Sequence, residues 1–504
     1  MKGLWLLLVG TKMYLEAEFK YERIIRWYET QLTSGRVSPH SEVPSIRQIS
    51  SEFNLSISSV QRAMRELRRQ GLIYSNGKKR FYFSEFSPVD VDTECDKTDC
   101  LSRTAKLIFL SQTTDMAAFN RAFLGRSLDA SPFIQKCLRS LGTSDPQSFN
   151  IKAPAAGLTE LRRRLVGIMF DRRVNSRAAD IVVTQGDDTA LEAVLDVLCD
   201  ADDAILVEHP TNHSVLEAAR RLGLKVHTIE TDFQHGIDFR HLEQAIQNTS
   251  AKALYLSPTI QVPLGFVMPA VHRARIVELA ERYGVTIVED DMFADLVPDE
   301  SRPPALASLS KTGDVIYLGS FNRTIASSVS VGWCASRKYA GEIASKLVER
   351  SYSVSTLNQQ LLIEFLRRGY DKDHGMVLQS KIRRNDHIFE DIISSYFPQK
   401  TQILGARCGY SRLLRLPFDL SPDDFETLHA QDFPICDLGA FYSRTYPTNM
   451  LQICLCEVID ASVKIYFQNL GRFLSEIGAL KNRSAVEVGP QPIETGPEHP
   501  KAGF

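Results

Sequence analysis

The chain has 504 residues, 59 Lys and Arg against 61 Asp and Glu for a formal net charge of −2, and 43% apolar against 24% charged residues. That length exceeds one ordinary domain, and the composition is that of a folded globular protein, not of a disordered or fibrous one. The near-neutral balance excludes nucleic-acid binding by bulk charge, so any such binding needs a local basic patch, and no apolar stretch is long enough to span a bilayer.

The chain opens "MKGLWLLLVGTKMYLEAEF". One lysine before a short apolar run imitates a weak signal peptide, but no small-residue cleavage site follows. Residues 1–12 are therefore read as a doubtful start segment, with translation expected at Met13. The alternative is a short extra strand or helix packed on the next domain.

Residues 13–85 predict a small DNA-binding domain. One helix is expected over 21–34. A second follows Pro44, a good first-turn residue. A third runs through "SISSVQRAMRELRRQG" and is closed by Gly71. Val60, Ala63, Met64 and Leu67 fall at i, i+3, i+4 and i+7 and face the core. Ser58, Ser59, Gln61, Arg62 and Arg65 then face outward. In "LIYSNGKKRFYFS", Asn76-Gly77 between two β-rich runs signals a hairpin, with Lys78, Lys79 and Arg80 at or near its tip. Three helices and a basic hairpin make a winged helix-turn-helix. Its third helix offers hydroxyls, an amide and guanidinium groups to a major groove, and its hairpin offers cations to phosphates. The plainer alternative is a solvated basic helix in a small α/β cap.

Residues 86–112 ("EFSPVDVDTECDKTDC" and beyond) are polar and acidic and suit a linker. From Asp180 onward, short β-branched runs such as "DIVVT", "AILVEH", "ALYLSP", "VTIVEDD", "DVIYLGS" and "VSVGWCAS" alternate with amphipathic segments such as "TALEAVLDVLCD" and "HRARIVELAERYG". This predicts an α/β fold with a mostly parallel sheet. A large α/β domain is expected over 113–375 and a smaller α+β domain over 376–480. In such folds ligands bind beyond the carboxyl ends of the strands. Gly265, Gly319 and Gly332 are expected at turns. The tail, 481–504, has no apolar period and is expected to be disordered. The nine cysteines are scattered. Cys95 and Cys100 lack a second matching pair, so reduced core thiols are expected and no metal site.

Two resemblances follow from these residues. "VPSIRQISSEFNLSISSVQRAMRELRRQGLIY" is similar to the GntR-type winged helix, the match resting on Pro44, Ser45, Arg47, Ser56, Val60 and the Leu67…Gly71-Leu72 end. The resemblance implies that Arg47 contacts the DNA backbone. The arginine that the family places after its first serine is Ile57 here. Further on, "VTQGDDTALEAVLDVL", "ILVEHPTNHSVLEAARRLG", "LYLSPTIQVPLG", "TIVEDDMFADL", "YLGSFNRT…VGW" and "GAFYSRTYPTNMLQICLC" occur in the order of a fold-type I aminotransferase domain. A GntR-type winged helix ahead of that domain resembles the MocR subgroup. The resemblance implies a dimer holding pyridoxal phosphate (PLP) between large and small domains.

Position by position, the resemblance also implies a degenerate cofactor site. The Schiff-base lysine should follow Gly319-Ser320-Phe321-Asn322, and Arg323 stands there. A guanidinium stays protonated and cannot condense with an aldehyde. No lysine lies between Asp314 and Lys338. The phosphate loop reads Gly186-Asp187-Asp188-Thr189, whose carboxylates repel a phosphate dianion. The arginine that helps hold the phosphate is Ser330. The ring-stacking tyrosine is Asn212, and the asparagine of the next loop is Val262. The tyrosine that bonds the PLP phenolate aligns with Phe293, or with Met292 in the tighter spacing. The arginine that binds the substrate carboxylate is Gln452. Only the acid Asp290, the partner of the pyridine nitrogen, is retained, and Ser320 belongs to the degenerate positions. Asp290 is expected to pair with Arg323 in a closed salt bridge, and the alternative is that Arg323 receives a small anionic effector.

The reading is a cytoplasmic, double-stranded-DNA-binding transcription regulator that forms a homodimer. Its aminotransferase-like dimerisation or effector domain is expected not to catalyse and to hold no cofactor. The alternatives are a working PLP-dependent aminotransferase, a PLP-sensing MocR-type regulator, or a scaffold that has also lost DNA.

Overall fold

In the computed structural model, residues 21–33, 37–38, 40–75, 80–84, 124–143, 152–232, 236–350, 352–405, 409–431, 433, 435, 437–443 and 445–487 are described. Residues 1–20, the 86–112 linker segment with Cys95 and Cys100, the hairpin tip 76–79 with Lys78 and Lys79, and the tail beyond Glu487 lie outside the described residues. The chain divides into two units, 1–101 and 102–504.

The first unit is built on α1 (Glu22–Thr33), α2 (Ile46–Phe53), α3 (Ile57–Arg69) and the strands β1 (Ile73–Ser75) and β2 (Phe81–Phe83). Ser45 starts α2 through a capping box with Gln48, which satisfies backbone donors at both ends of the motif. Pro44 therefore lies just outside the helix and not in its first turn. Ser56 caps α3, and Gly71 follows with φ +75°, the left-handed geometry that ends helices. Val60, Ala63, Met64 and Leu67 are buried together with Ile24, Tyr28, Ile49 and Phe83. β1 and β2 pair antiparallel with Tyr74 opposite Tyr82, and Glu42 bridges to Tyr82 as a third edge.

In the second unit, α4 (Ser131–Leu141) and α5 (Thr159–Asp171) precede β3 (Ile181–Thr184), α6 (Gly186–Leu198), β4 (Ala204–His209), α7 (His213–Leu222), β5 (Lys225–Asp232), β6 (Gly236–Ile237), α8 (Phe239–Thr249), β7 (Ala253–Leu256), α9 (Ala270–Tyr283), β8 (Thr286–Asp290), β9 (Val315–Ser320) and β10 (Gly332–Ala335). Among the described residues these strands form one eight-stranded sheet in the order β3-β10-β9-β8-β7-β4-β5-β6. The central pairs are parallel, while β10 runs against both its neighbours. Strand residues alternate between two cores, as the period of two requires. Ile205, Val207 and Tyr255 pack under α6 and α7, whereas Leu206, Leu254, Leu256 and Ile287 pack under α8 and α9.

Gly319 and Gly332 lie inside β9 and β10 and not at turns; of the three glycines only Gly265 has positive φ, +69°. Their need for glycine is steric. A Cβ on Gly332 would stand 2.6 Å from the carbonyl of Gly186, and one on Gly319 would enter the Trp333 ring.

After β10 come α10 (Ala340–Glu349), α11 (Thr356–Arg367) and α12 (Tyr370–Tyr396), then β11 (Gln402–Leu404), β12 (Ser411–Arg415), α13 (Pro422–Ala430), β13 (Met450–Cys454) and α14 (Ala461–Glu487). The last three strands form an antiparallel sheet, β11-β12-β13. α12 runs straight through the expected domain boundary at 375/376, and α14 carries regular helix seven residues past 480, where disorder was expected. No helix among the described residues is long and apolar enough to cross a membrane.

Candidate functional site

Five chain segments converge beyond the carboxyl ends of parallel strands. β3 leads to Gly186 and Asp187, β4 to Asn212, β7 to the loop holding Val262, β8 ends at Asp290, and β9 leads through Ser320 to Arg323. Because β10 runs the other way, its entry at Ser330 and Gly332 returns to the same end. Gly186 has φ +82°, and a Cβ there would lie 3.2 Å from Asn322 Nδ2 and 3.3 Å from Ser330 Oγ. The first turn of α6 and the loop after β9 are thus closed against each other.

The centre of this junction is an ion pair. Arg323 donates to Asp187 Oδ2 from Nη2 at 3.0 Å and from Nε at 3.2 Å. Asn322 Nδ2 donates to the other oxygen, Oδ1, at 2.6 Å, and Ser320 Oγ stands 3.4 Å from it. Both charged residues are buried, Arg323 6% and Asp187 5% exposed. Burial opposes ionisation of Asp187, but the Arg323 charge and the hydrogen bonds outweigh it and hold the carboxyl below its usual range. Burial likewise opposes the guanidinium charge, and Asp187 and Asp188 more than restore it. The carboxylate sits in the first turn of α6, where the backbone N–H groups and dipole favour an anion.

Asp290 is therefore not the acid that pairs with Arg323. Its Oδ2 accepts from the Tyr255 hydroxyl at 2.6 Å and its Oδ1 from Met292 N at 3.3 Å. Asp187 reaches Arg323 because β3 and β9 both flank β10, bringing the two loops together, while Tyr255 on β7 covers Asp290. Burial pushes Asp290 up to about 7, against the Tyr255 hydrogen bond. Glu208, buried and accepting from Ser257 N at 2.9 Å, is also pushed up to about 7 by burial.

The remaining cofactor positions are occupied by groups with internal tasks. Asp188 is exposed, and its charge adds to that of Asp187 at Arg323. Asn212 caps α7, accepting from Ser214 N at 3.2 Å. Phe293 meets the Tyr410 ring edge-on at 5.7 Å, and the Tyr410 hydroxyl donates to the Arg323 carbonyl at 3.2 Å. Val262 and Met292 are buried in the core. Gln452 donates to Ser411 Oγ at 2.8 Å inside the small sheet. Beside it, Arg412 is held by Asp386 through two hydrogen bonds, one of them 2.6 Å.

These residues do not fit PLP. The place for an aldehyde-condensing amine is a paired guanidinium, and the anion seat at the α6 terminus holds the chain's own carboxylate. Sequence reasoning missed Tyr255, Tyr410, Glu208 and Asn322 as site residues. Asn322 was legible as the polar neighbour of Arg323, but Tyr255 on β7 and Tyr410, just before β12, are brought to the site only by the tertiary fold. Among the described residues no cluster of three His, Cys, Asp or Glu side chains could hold a metal ion.

On the first unit, Arg47, Ser58, Gln61, Arg62 and Arg65 are exposed and Ser59 is half-buried. Arg62 lies over the Tyr21 ring at 4.2 Å. Arg80 is 2.9 Å from Glu42, so its charge is partly neutralised. Ile57, where the related pattern has arginine, is 50% exposed.

Residues 126–396 match the family model for aminotransferase class I and II, and residues 20–83 match that for bacterial regulatory proteins of the gntR family. Among curated proteins, the chain is 26% identical over 419 residues to the HTH-type transcriptional regulator YjiR of Escherichia coli, covering 79% of this chain and 86% of that one. It is 25% identical over 405 residues to YdcR of the same organism, with the same coverage, 79% and 86%. Kynurenine aminotransferase of Pyrococcus horikoshii superposes with a TM-score of 0.67 at 20% identity, over 77% of this chain and 98% of that one.

Proposed function

The chain belongs to the aminotransferase class I and II family and carries a gntR-family domain ahead of it, and we propose that it is a DNA-binding transcriptional regulator whose aminotransferase-like domain does not perform transamination. One observation carries this reading: the buried Arg323–Asp187 pair joins the position of the Schiff-base amine to the position of the cofactor phosphate. A protein-borne carboxylate in the phosphate seat opposes a dianion, and a guanidinium cannot take part in imine chemistry. Relatives named as transcriptional regulators that align over most of the chain support the same reading.

In this reading α3 enters a major groove with Ser58, Ser59, Gln61, Arg62 and Arg65, while Arg47, Lys78, Lys79 and Arg80 meet phosphates. A homodimer would set two such units on paired half-sites, raising affinity by linkage, and in this reading the protein is cytoplasmic. The second unit holds no cofactor. A small anionic effector at Arg323 would have to displace Asp187.

The test is borohydride reduction after incubation with PLP, followed by peptide mass spectrometry, alongside selection of bound DNA fragments by the purified protein. The expected result is an enriched, two-fold symmetric operator and no pyridoxyl-lysine. A pyridoxyl adduct on a lysine of the second unit would favour the working or PLP-sensing enzyme. Failure to enrich any sequence would favour a scaffold without DNA.

A further inference from the structure

Ile57 opens α3 and is 50% exposed. Its apolar neighbours in the chain, Phe53 and Leu55, pack against the core of the first unit, whereas half of the Ile57 surface stays in water. Two other large apolar residues of that unit, Trp27 and Tyr74, are exposed among the described residues. Each has a polar group on its ring, and the Tyr74 hydroxyl is 3.0 Å from His40 Nδ1. Isoleucine has no polar atom to offer. An isolated apolar residue on a surface is ordinary, and it is the place of this one in the fold that gives it meaning.

The serines at the tip of α3 bond to one another. Ser56 Oγ lies 2.9 Å from both Ser58 Oγ and Ser59 Oγ, and it accepts from Ser59 N at 3.3 Å. Side chains four apart on a helix lie in one row. Ile57, Gln61 and Arg65 therefore form a row beside the buried stripe of Val60, Met64 and Leu67, and all three are exposed.

In a DNA complex of this kind the N-terminal residues of the recognition helix meet base edges. The major groove presents hydrogen-bonding groups at every base pair, but an apolar group only at thymine, whose C5-methyl projects there. A donor or acceptor set against Ile57 would lose its water and gain no partner. A methyl group set against it loses only water, which is favourable.

We infer that Ile57 is a specificity-determining residue that packs on a thymine C5-methyl group in each half-site, so that the operator carries thymine at one fixed position. This rests on the DNA-binding reading and adds to it the base that one side chain selects. An arginine at the same place would select guanine instead, through a bidentate contact to O6 and N7.

The test uses the full chain and the operator recovered by selection of bound DNA fragments. Thymines of one half-site are replaced one at a time by deoxyuridine, which removes the C5-methyl and keeps every hydrogen-bonding group. At one position the wild type is expected to lose about fourfold in affinity, the worth of one buried methyl group. Ile57→Ala is expected to bind the thymine and deoxyuridine forms of that position equally. Its Tm should match the wild type, because the side chain lies outside the core. Selection repeated with Ile57→Arg should bring guanine to the position that thymine held. An enriched operator on which no thymine is methyl-dependent would overturn the assignment and leave the DNA-binding reading standing. So would an Ile57→Ala variant with the same deoxyuridine losses as the wild type at every position. Failure to enrich any operator would overturn both.

Discussion

Asp187 lies 3.0 Å from Arg323 in a pair with almost no solvent contact. In the proposed alignment the two residues fall at the positions where a related enzyme would meet the two ends of its cofactor, and here they bond each other. The energetic sense of such a pair is asymmetric. Formed, it is worth little against an apolar substitute, but removing one member strands the other.

Asp187→Ala should therefore lower the stability of the second unit by about 3–5 kcal/mol, the range for an uncompensated buried charge. The double variant Asp187→Leu with Arg323→Met should lose less than either single change. Thermal unfolding of the four proteins gives the coupling directly, and additive losses would mean that the pair is not a unit.

Asp290 and Glu208, both pushed up to about 7 by burial, set a pH dependence. A carboxyl whose native pKa is raised binds its proton more tightly when folded. Its contribution to stability is full below the unfolded pKa, near 4, and declines as pH rises toward 7. Asp290→Asn keeps an acceptor for Tyr255 without the charge. It should gain on the wild type between pH 5 and pH 8, by an amount on the order of a few kcal/mol. Equal pH profiles for the two proteins would show that Asp290 is ionised at no cost.

For DNA binding, Arg47→Ala should weaken affinity and reduce the slope of log K against log salt by roughly one, whereas Arg65→Ala, in the groove, should cost about 1–3 kcal/mol and relax sequence preference. Arg80→Ala should do less, because Glu42 already sits 2.9 Å from that guanidinium. Salt titrations by fluorescence anisotropy on the selected operator check the order of the three.

Gly332→Ala places a methyl group 2.6 Å from the Gly186 carbonyl, backbone that cannot step aside without moving the first turn of α6. A loss of about 2 kcal/mol or more is expected. Calorimetry should also find that Gly341→Ala, on α10, where a Cβ meets nothing within 4 Å, leaves stability unchanged or raised.

Much was legible in order and period. The Gly71 stop after α3, the Val60-Ala63-Met64-Leu67 stripe and the β-branched runs of the parallel sheet state their structure locally, because helix termination, amphipathicity and strand alternation are short-range rules. The replacement of an amine by a guanidinium at 323 was legible too, since it needs only alignment of one loop. Gly319 and Gly332 were misplaced at turns because the demand for glycine came from Trp333 and the Gly186 backbone, which are remote or across the sheet. The end of α14 was placed early because propensity past 480 is weak on its own.

The sequence by itself determined the two-unit order, the α/β class and the absence of any lysine between Asp314 and Lys338. Only the tertiary structure decided which acid answers Arg323, and the reason is the strand order. Inserting antiparallel β10 between β3 and β9 brings the Asp187 turn to the guanidinium, while Tyr255 keeps Asp290 for itself.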